Sequence, residues 1–341
     1  MTRVVVTRAN RRPPTAFCHL LTLMAALGIT WAPATAAQGR SSVAPRESQI
    51  PVGDASLYVR DIGTGQPVIV LHGGPDFDQR YIAPDLDRWA EAFHVIYYDQ
   101  RGRGRSADQV APDDVTLVSD LEDLDRVRRH FGLESTIILG HSWGTVLALE
   151  YALRHPAHVS HLILMNPAPA SAGDFALLRD AYVRAQGPDL DSQRAIMDGA
   201  AYREGEPAAV SARYRLHFKH ALKESKDFDT LMERMTAAFI SQGKEGIVKA
   251  RAVEDRLMED TWSREDYDLV PRLRDLRVRT LVLYGDHDFI PGEIARHIAG
   301  AMPDAALVTL KDCGHFAHLE CAEDVRRAVD RFLQRARSRT A

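Results

Sequence analysis

The stretch TIILGHSWGT, residues 136–145, decides the fold. Its first half is a short apolar run rich in β-branched residues, as a strand buried on both faces requires. Its second half opens a helical pattern that runs to Arg154 and is ended by His155-Pro156. Between them stands Gly140-His141-Ser142-Trp143-Gly144. In a G-x-S-x-G elbow the serine sits on a strained turn from strand to helix, and the flanking glycines relieve the crowding that turn creates. The five-residue pattern alone is weak, because small residues are common. With a strand before it and a helix after it, Ser142 reads as a nucleophile held up on a tight turn.

Working outward, similar apolar runs occur at 67–73, 94–99, 161–166, 280–285 and 306–310. Helical patterns lie between most of them. In the segment 115–131, Leu117, Leu121, Leu124, Val127 and Phe131 fall at three-and-four spacing, and Gly132 stops the helix; another helix is expected over 322–335. Alternation of this kind predicts an α/β fold with a mostly parallel sheet and helices on both faces. Turn signals at Gly53-Asp54 and Gly63-Thr64-Gly65 add a β-hairpin ahead of it. From 169 to 268 the strand signal disappears, and helical segments are broken at Gly187-Pro188 and Gly205-Glu206-Pro207. The expected organisation is a core formed by 37–168 and 269–341, with 169–268 a helical cap over the carboxyl ends of the strands, where open α/β sheets bind ligands.

Serine is a poor nucleophile at its own pKa and needs a histidine base oriented by a carboxylate. His315, in CGHFAH, follows the last predicted strand and precedes the final helix; His318 is its close rival. Asp288 follows the strand at 280–285 and completes the chain order Ser, Asp, His, with Asp286 as competitor. The preceding strand ends in Asn166, which cannot carry the negative charge that stabilises an imidazolium. Acyl transfer also develops charge on the former carbonyl oxygen. The amide of Trp143 and an amide of His72-Gly73-Gly74-Pro75, that of Gly74, are the expected oxyanion donors. No convincing metal-ligand spacing appears.

The chain has 341 residues, 45% hydrophobic and 26% charged, which excludes disordered and collagen-like classes. Residues 1–36 carry Arg3, Arg8, Arg11 and Arg12 and no carboxylate, then an apolar run from Ala16 to Trp31 and Ala34-Thr35-Ala36. That order is a secretory signal, with cleavage expected after Ala36. The apolar run falls short of the roughly 20 residues a bilayer core needs, so no stable membrane association is expected. With the four arginines removed, 39 basic residues face 47 acidic ones, a balance with no electrostatic footprint for nucleic acid. In an oxidising compartment Cys313 and Cys321, eight residues apart, could pair. Two buried thiols of small apolar character are the expected state.

Together HGGP at 72–75, DQRGRGRS at 99–106, GHSWGT at 140–145 and the later Asp288 and His315 resemble the proline iminopeptidase family of α/β-hydrolases. The resemblance covers about 50–168 and 269–338. It implies release of an N-terminal residue, typically proline, from peptides through an acyl-enzyme on Ser142, with no cofactor. Departures bear on substrate and leave the chemistry untouched. Asp76 stands where the family usually has glycine, and His141, common at this place in esterases, where many members have a small residue. A hydrolase of esters, lactones or small amides is therefore the second reading. The family recognises the free α-amine with carboxylates, chiefly from the cap, for which Glu204 and Glu206 are the candidates, with Glu224 behind them.

Overall fold

The computed structural model describes residues 44–340. The expected signal and cleavage site lie outside the described residues. Eight strands form one sheet: β1 (Arg46–Val52), β2 (Ala55–Ile62), β3 (Gln66–Leu71), β4 (Phe93–Tyr98), β5 (Thr136–His141), β6 (Val159–Met165), β7 (Arg279–Gly285) and β8 (Ala305–Leu310). Their order across the sheet is β1-β2-β4-β3-β5-β6-β7-β8. β2 runs antiparallel to its neighbours β1 and β4, and every pair from β4 to β8 is parallel.

Alternate side chains explain why these runs are continuously apolar. Ile69 and Leu71 of β3, with Ile138 of β5 and Val282 of β7, pack on one face against α1 (Leu117–His130) and α2 (Trp143–Arg154). Val68 and Val70, with Ile137, Leu139 and Leu283, pack on the other, where the last helix contributes Val325, Val329 and Phe332. Both faces of the inner strands are covered, so their period-two alternation does not reach solvent and the sequence reads as uniform apolar runs; the edge strand β8 is largely open. The start of α1 is fixed by a capping box, with the Thr116 hydroxyl accepting from the Ser119 amide and the Ser119 hydroxyl from that of Thr116.

The cap is helical throughout: α3 (Ala172–Gln186), α4 (Asp189–Met197), a short turn at Ala200–Arg203, α5 (Pro207–His217) and α6 (Ser225–Asp260). Its two ends meet at a β-bridge between Ser171 and Asp268. α6 contains a break that the sequence reading did not anticipate. Gly243, at φ 67° and ψ 177°, leaves the helical region and re-aims the residues after it. After β7 the chain forms α7 (Gly292–Ala301), then β8 and α8 (Ala322–Thr340). Among the described residues no helix is long and apolar enough to cross a membrane.

The expectation of two free thiols is corrected. Cys313 and Cys321 are joined in a disulfide, their Cα atoms 6.1 Å apart. The helical turn Ala317–Glu320 reverses the chain and brings Cys321 back beside Cys313. Closing so short a loop contributes about 2.5 kcal/mol in the chain-entropy account. Cys321→Ser is expected to lower the unfolding free energy by about 2–3 kcal/mol, measured as a lower guanidinium midpoint at unchanged slope.

Candidate active site

The elbow is built by close backbone approach. A Cβ on Gly140 would stand 2.4 Å from the Gly144 carbonyl oxygen, and one on Gly144 would stand 2.3 Å from that of Leu71. Only glycine fits at either place, which is how α2 can start directly over β3 and β5. Ser142 itself adopts φ 52° and ψ −121°, a region costly for a residue with a Cβ. Its amide donates to the Met165 carbonyl at 3.1 Å, and the Thr145 hydroxyl donates to the Ser142 carbonyl at 2.6 Å.

His315 and Ser142 line the same cavity, of about 270 Å³. The His315 Nδ1 lies 2.9 and 3.1 Å from the two Asp288 oxygens, and both side chains are nearly excluded from solvent. A carboxylate can only accept, so Nδ1 carries the proton and Nε2 is left as the basic nitrogen. Asp288 is fixed in turn by the Ile290 amide at 2.8 Å and the Asn166 Nδ2 at 2.8 Å. The same Asn166 amide group donates to the Gly314 carbonyl at 3.0 Å, bracing the loop that carries His315. Sequence reasoning saw Asn166 only as a residue without a charge and missed this role.

Both rivals lie elsewhere. Asp286 is exposed and bonds His287 at 2.7 Å; that hydrogen bond holds its carboxyl below the usual range. His318 is buried with Nδ1 2.8 Å from Asp85, and burial keeps its imidazole neutral to lower pH than usual.

Of the two loop glycines, Gly73 gives its amide to the Tyr81 hydroxyl at 2.6 Å. The Gly74 amide has no partner among the described residues, and Gly74 lines the cavity beside Ser142 and Trp143. Gly74 sits at φ 57°, where a Cβ would strike the Phe77 ring at 2.2 Å. Trp143 opens α2, so its amide is among those a helix leaves free. Tyr81 donates to His141 Nδ1 at 2.7 Å, and His141 Nε2 donates to the His315 carbonyl at 2.9 Å. Burial foremost, then the neighbouring histidines, pushes the His141 pKa far down, which keeps the ring neutral as this chain of bonds demands.

The DQRGRGRS segment lies beneath. The Gln100 amide donates to His72 Nε2 at 3.1 Å, and the Gln100 side chain to the His72 carbonyl at 3.0 Å. Burial pushes the His72 pKa down to about 4, so it stays a neutral acceptor. Arg103, fully buried, pairs with the equally buried Asp120 at 2.7 Å.

One group of candidates is corrected. Glu204 is exposed, and Glu206 is ion-paired with Lys244 on the outer surface of the cap; neither lines the Ser142 cavity. The turn at Gly205 packs against the backbone of Lys244, where Glu204 lines a separate surface pocket with Pro112. Glu224 is likewise exposed, at the start of α6. The carboxylates that do line the cavity are Asp76 and Glu254. Tyr214 donates its hydroxyl proton to Asp76, and burial is the main force raising the Asp76 pKa. Burial, with the Asp76 charge second, raises Glu254 to about 8. Arg213 lies beside them, 4.4 Å over the Tyr214 ring. Asp76 was visible as the residue breaking the glycine loop pattern, whereas Glu254 is an ordinary helix carboxylate in sequence. The same cavity also has an aromatic wall, with Trp143 edge-on to Trp262 at 5.3 Å and Trp262 stacked on Phe175 at 4.8 Å.

Comparison with known proteins places this site in context. The profile of the alpha/beta hydrolase fold matches residues 66–322. A Streptomyces coelicolor protein named "Probable proline iminopeptidase" is 38% identical over 137 residues, 37% of this chain and 42% of that protein. The 2-hydroxy-6-oxo-6-phenylhexa-2,4-dienoate hydrolase of Comamonas testosteroni is 25% identical over 87% of this chain and 98% of its own. Among solved structures, the proline iminopeptidase of Mycobacterium smegmatis superposes with a TM-score of 0.63 at 26% identity, covering 85% of this chain and 98% of that one.

Proposed function

The chain belongs to the alpha/beta hydrolase fold family, and from that premise we propose that it is a serine hydrolase acting as an aminopeptidase on small peptides or amino-acid amides. The observation that carries the reaction class is the Asp288–His315 pair facing the cavity that Ser142, Gly74 and Trp143 also line. His315 Nε2 takes the Ser142 proton as Oγ attacks the scissile carbonyl carbon, and the oxyanion is held by the Gly74 and Trp143 amides. Asp288 steadies the imidazolium. His315 then protonates the departing amine as the C–N bond breaks, leaving the acyl group on Ser142. Water, deprotonated by His315, attacks that ester, and the proton returns to Oγ as the acid leaves.

The peptidase assignment rests on Asp76 and Glu254. Two carboxylates against one guanidinium give this end of the cavity a negative balance when ionised, suited to a substrate ammonium group. The iminopeptidases among the relatives support the same reading. The second reading, hydrolysis of neutral esters or amides, is favoured by the aromatic wall at Trp143, Trp262 and Phe175 and by Arg213, which offsets one of the two charges.

The discriminating experiment compares a proline arylamide with a free amine, its N-acylated form and a short-chain nitrophenyl ester. Cleavage of the free-amine compound much faster than that of its N-acylated form or the ester supports the aminopeptidase. Ester cleavage without arylamide turnover makes the second reading the correct one. Export is part of the proposal. The ordering of residues 1–36 supports it, as does the Cys313–Cys321 bond, a linkage that persists in oxidising compartments.

A further inference from the structure

The loop carrying His315 is held from the cap side as well as from the core. The His315 amide donates to the Ala221 carbonyl at 2.6 Å. Ala221 belongs to the segment 218–224 joining α5 to α6, whose second half, 221–224, meets the His315 loop. A Cβ on Gly314 would lie 2.2 Å from the Ala221 oxygen and 2.8 Å from the Leu222 Cα, so the glycine preceding the base exists to let this cap segment approach. Two side chains then close the contact: Lys223 donates from Nζ to Asp312, which adjoins Cys313, and Glu320 gathers the backbone. Glu320 accepts at Oε1 from the amides of Lys223 at 2.6 Å and Glu224 at 2.9 Å, and at Oε2 from the amide of Gly314 at 2.5 Å. Three backbone donors, two from the cap and one beside the base, converge on a single carboxylate. The disulfide closes the same loop, since Cys313 precedes Gly314 and Cys321 follows Glu320.

We infer that Glu320 is a positioning residue for the reaction, locking cap segment 221–224 and the His315 loop into one unit so that the cap sets where the base stands. The inference rests on the serine hydrolase reading of the site. With Glu320 gone, the three amides lose a charged acceptor and Gly314 is no longer drawn toward the cap, while Asp288, Asn166 and the substrate-facing residues are unchanged. Misplacement of a base by a fraction of an ångström costs rate rather than substrate affinity.

The test uses the mature chain and a neutral nitrophenyl ester, with kcat expressed per active site titrated to completion with a fluorophosphonate. Glu320→Ala is expected to lower kcat per titrated site on the order of 10- to 100-fold, with KM unchanged within about a factor of two. Glu320→Gln, which keeps one acceptor oxygen and turns an amide donor toward the remaining N–H groups, should fall between it and the parent. Lys226→Ala, in the first turn of α6 and exposed, touches neither Glu320 nor the His315 loop and should match the parent. If kcat per titrated site is unchanged in Glu320→Ala, or only KM rises, Glu320 is no more than a structural clasp and the inference is overturned. Should Glu320→Ala fail to fold, Glu320→Gln decides on the same quantity. A Ser142→Ala control separates the two levels. Turnover retained there defeats the reading of the site, whereas its loss together with an unaffected Glu320→Ala defeats the role of Glu320 alone.

Discussion

Ser142→Ala is expected to lower kcat by about 10⁵-fold while leaving the fold in place. In the proposed mechanism this hydroxyl is the attacking group. Structurally the change removes little. The Ser142 hydroxyl makes no hydrogen bond to a described residue, and alanine meets the same backbone cost at φ 52°, because the Cβ causes it. The melting temperature should therefore stay within a degree or two, since an exchange that removes no contact is worth about 0.5 kcal/mol or less. Ser142→Gly sharpens the test. It removes the Cβ that the elbow strains and should stabilise the protein by about 1 kcal/mol, while being as inactive as the alanine variant. A variant that is more stable and catalytically dead would locate the strain at the nucleophile, where it holds Oγ clear of β5. Turnover by either variant above the background of a purified control would remove Ser142 from the mechanism.

The parts of this architecture legible in the sequence are those that local chemistry dictates. The inner strands β3 to β7 are mostly buried on both faces, and a run such as Val68-Ile69-Val70-Leu71 has few other homes, whereas β8 at the edge is partly exposed. Ser142, Asp288 and His315 each follow a strand closely, so sheet order alone brings them to one edge. Features depending on how non-adjacent pieces dock were not legible. The cap carboxylates are the clearest case. Glu204 and Glu206 sit at a visible helix break, but the rotation of that break about the cap depends on its packing against Lys244. Glu254 follows the turn at Gly243, whose positive φ re-aims the second half of α6 toward the cavity. A glycine inside an otherwise regular helical pattern carries no sign of that. The disulfide needed the single helical turn Ala317–Glu320, too short to leave a periodic signature. Asn166 was rightly set aside as the acid, but its role was missed because its contribution is an amide donor at φ 49°, a conformation asparagine tolerates better than most residues.

The second large effect concerns the amine. If Asp76 and Glu254 receive a substrate ammonium, Asp76→Asn should lower kcat/KM for a free-amine arylamide by about 10²-fold or more, the usual loss when a buried charged partner is removed. The N-acylated or ester substrates should be little affected. The pH dependence follows from Glu254. Its pKa is raised to about 8, chiefly by burial, so at neutral pH it is mainly protonated and uncharged. As pH rises toward 8 the carboxylate appears and the attraction for an ammonium grows. An α-amino group loses its own proton near pH 8, so above that value the attraction declines again. The ratio of kcat/KM for the free-amine compound to that for its N-acylated form should therefore rise through neutrality, peak near pH 8 and fall beyond it. Taking the ratio cancels the titration of His315, which both substrates share. In Glu254→Gln the rising limb should flatten, because a neutral amide at 254 has no charge to gain. A ratio independent of pH in the parent, with Asp76→Asn equally impaired on both substrates, would mean that this end of the cavity supports the glycine loop and does not read the amine. The aromatic wall and Arg213 would then define the substrate, and the ester or amide reading would stand in place of the peptidase.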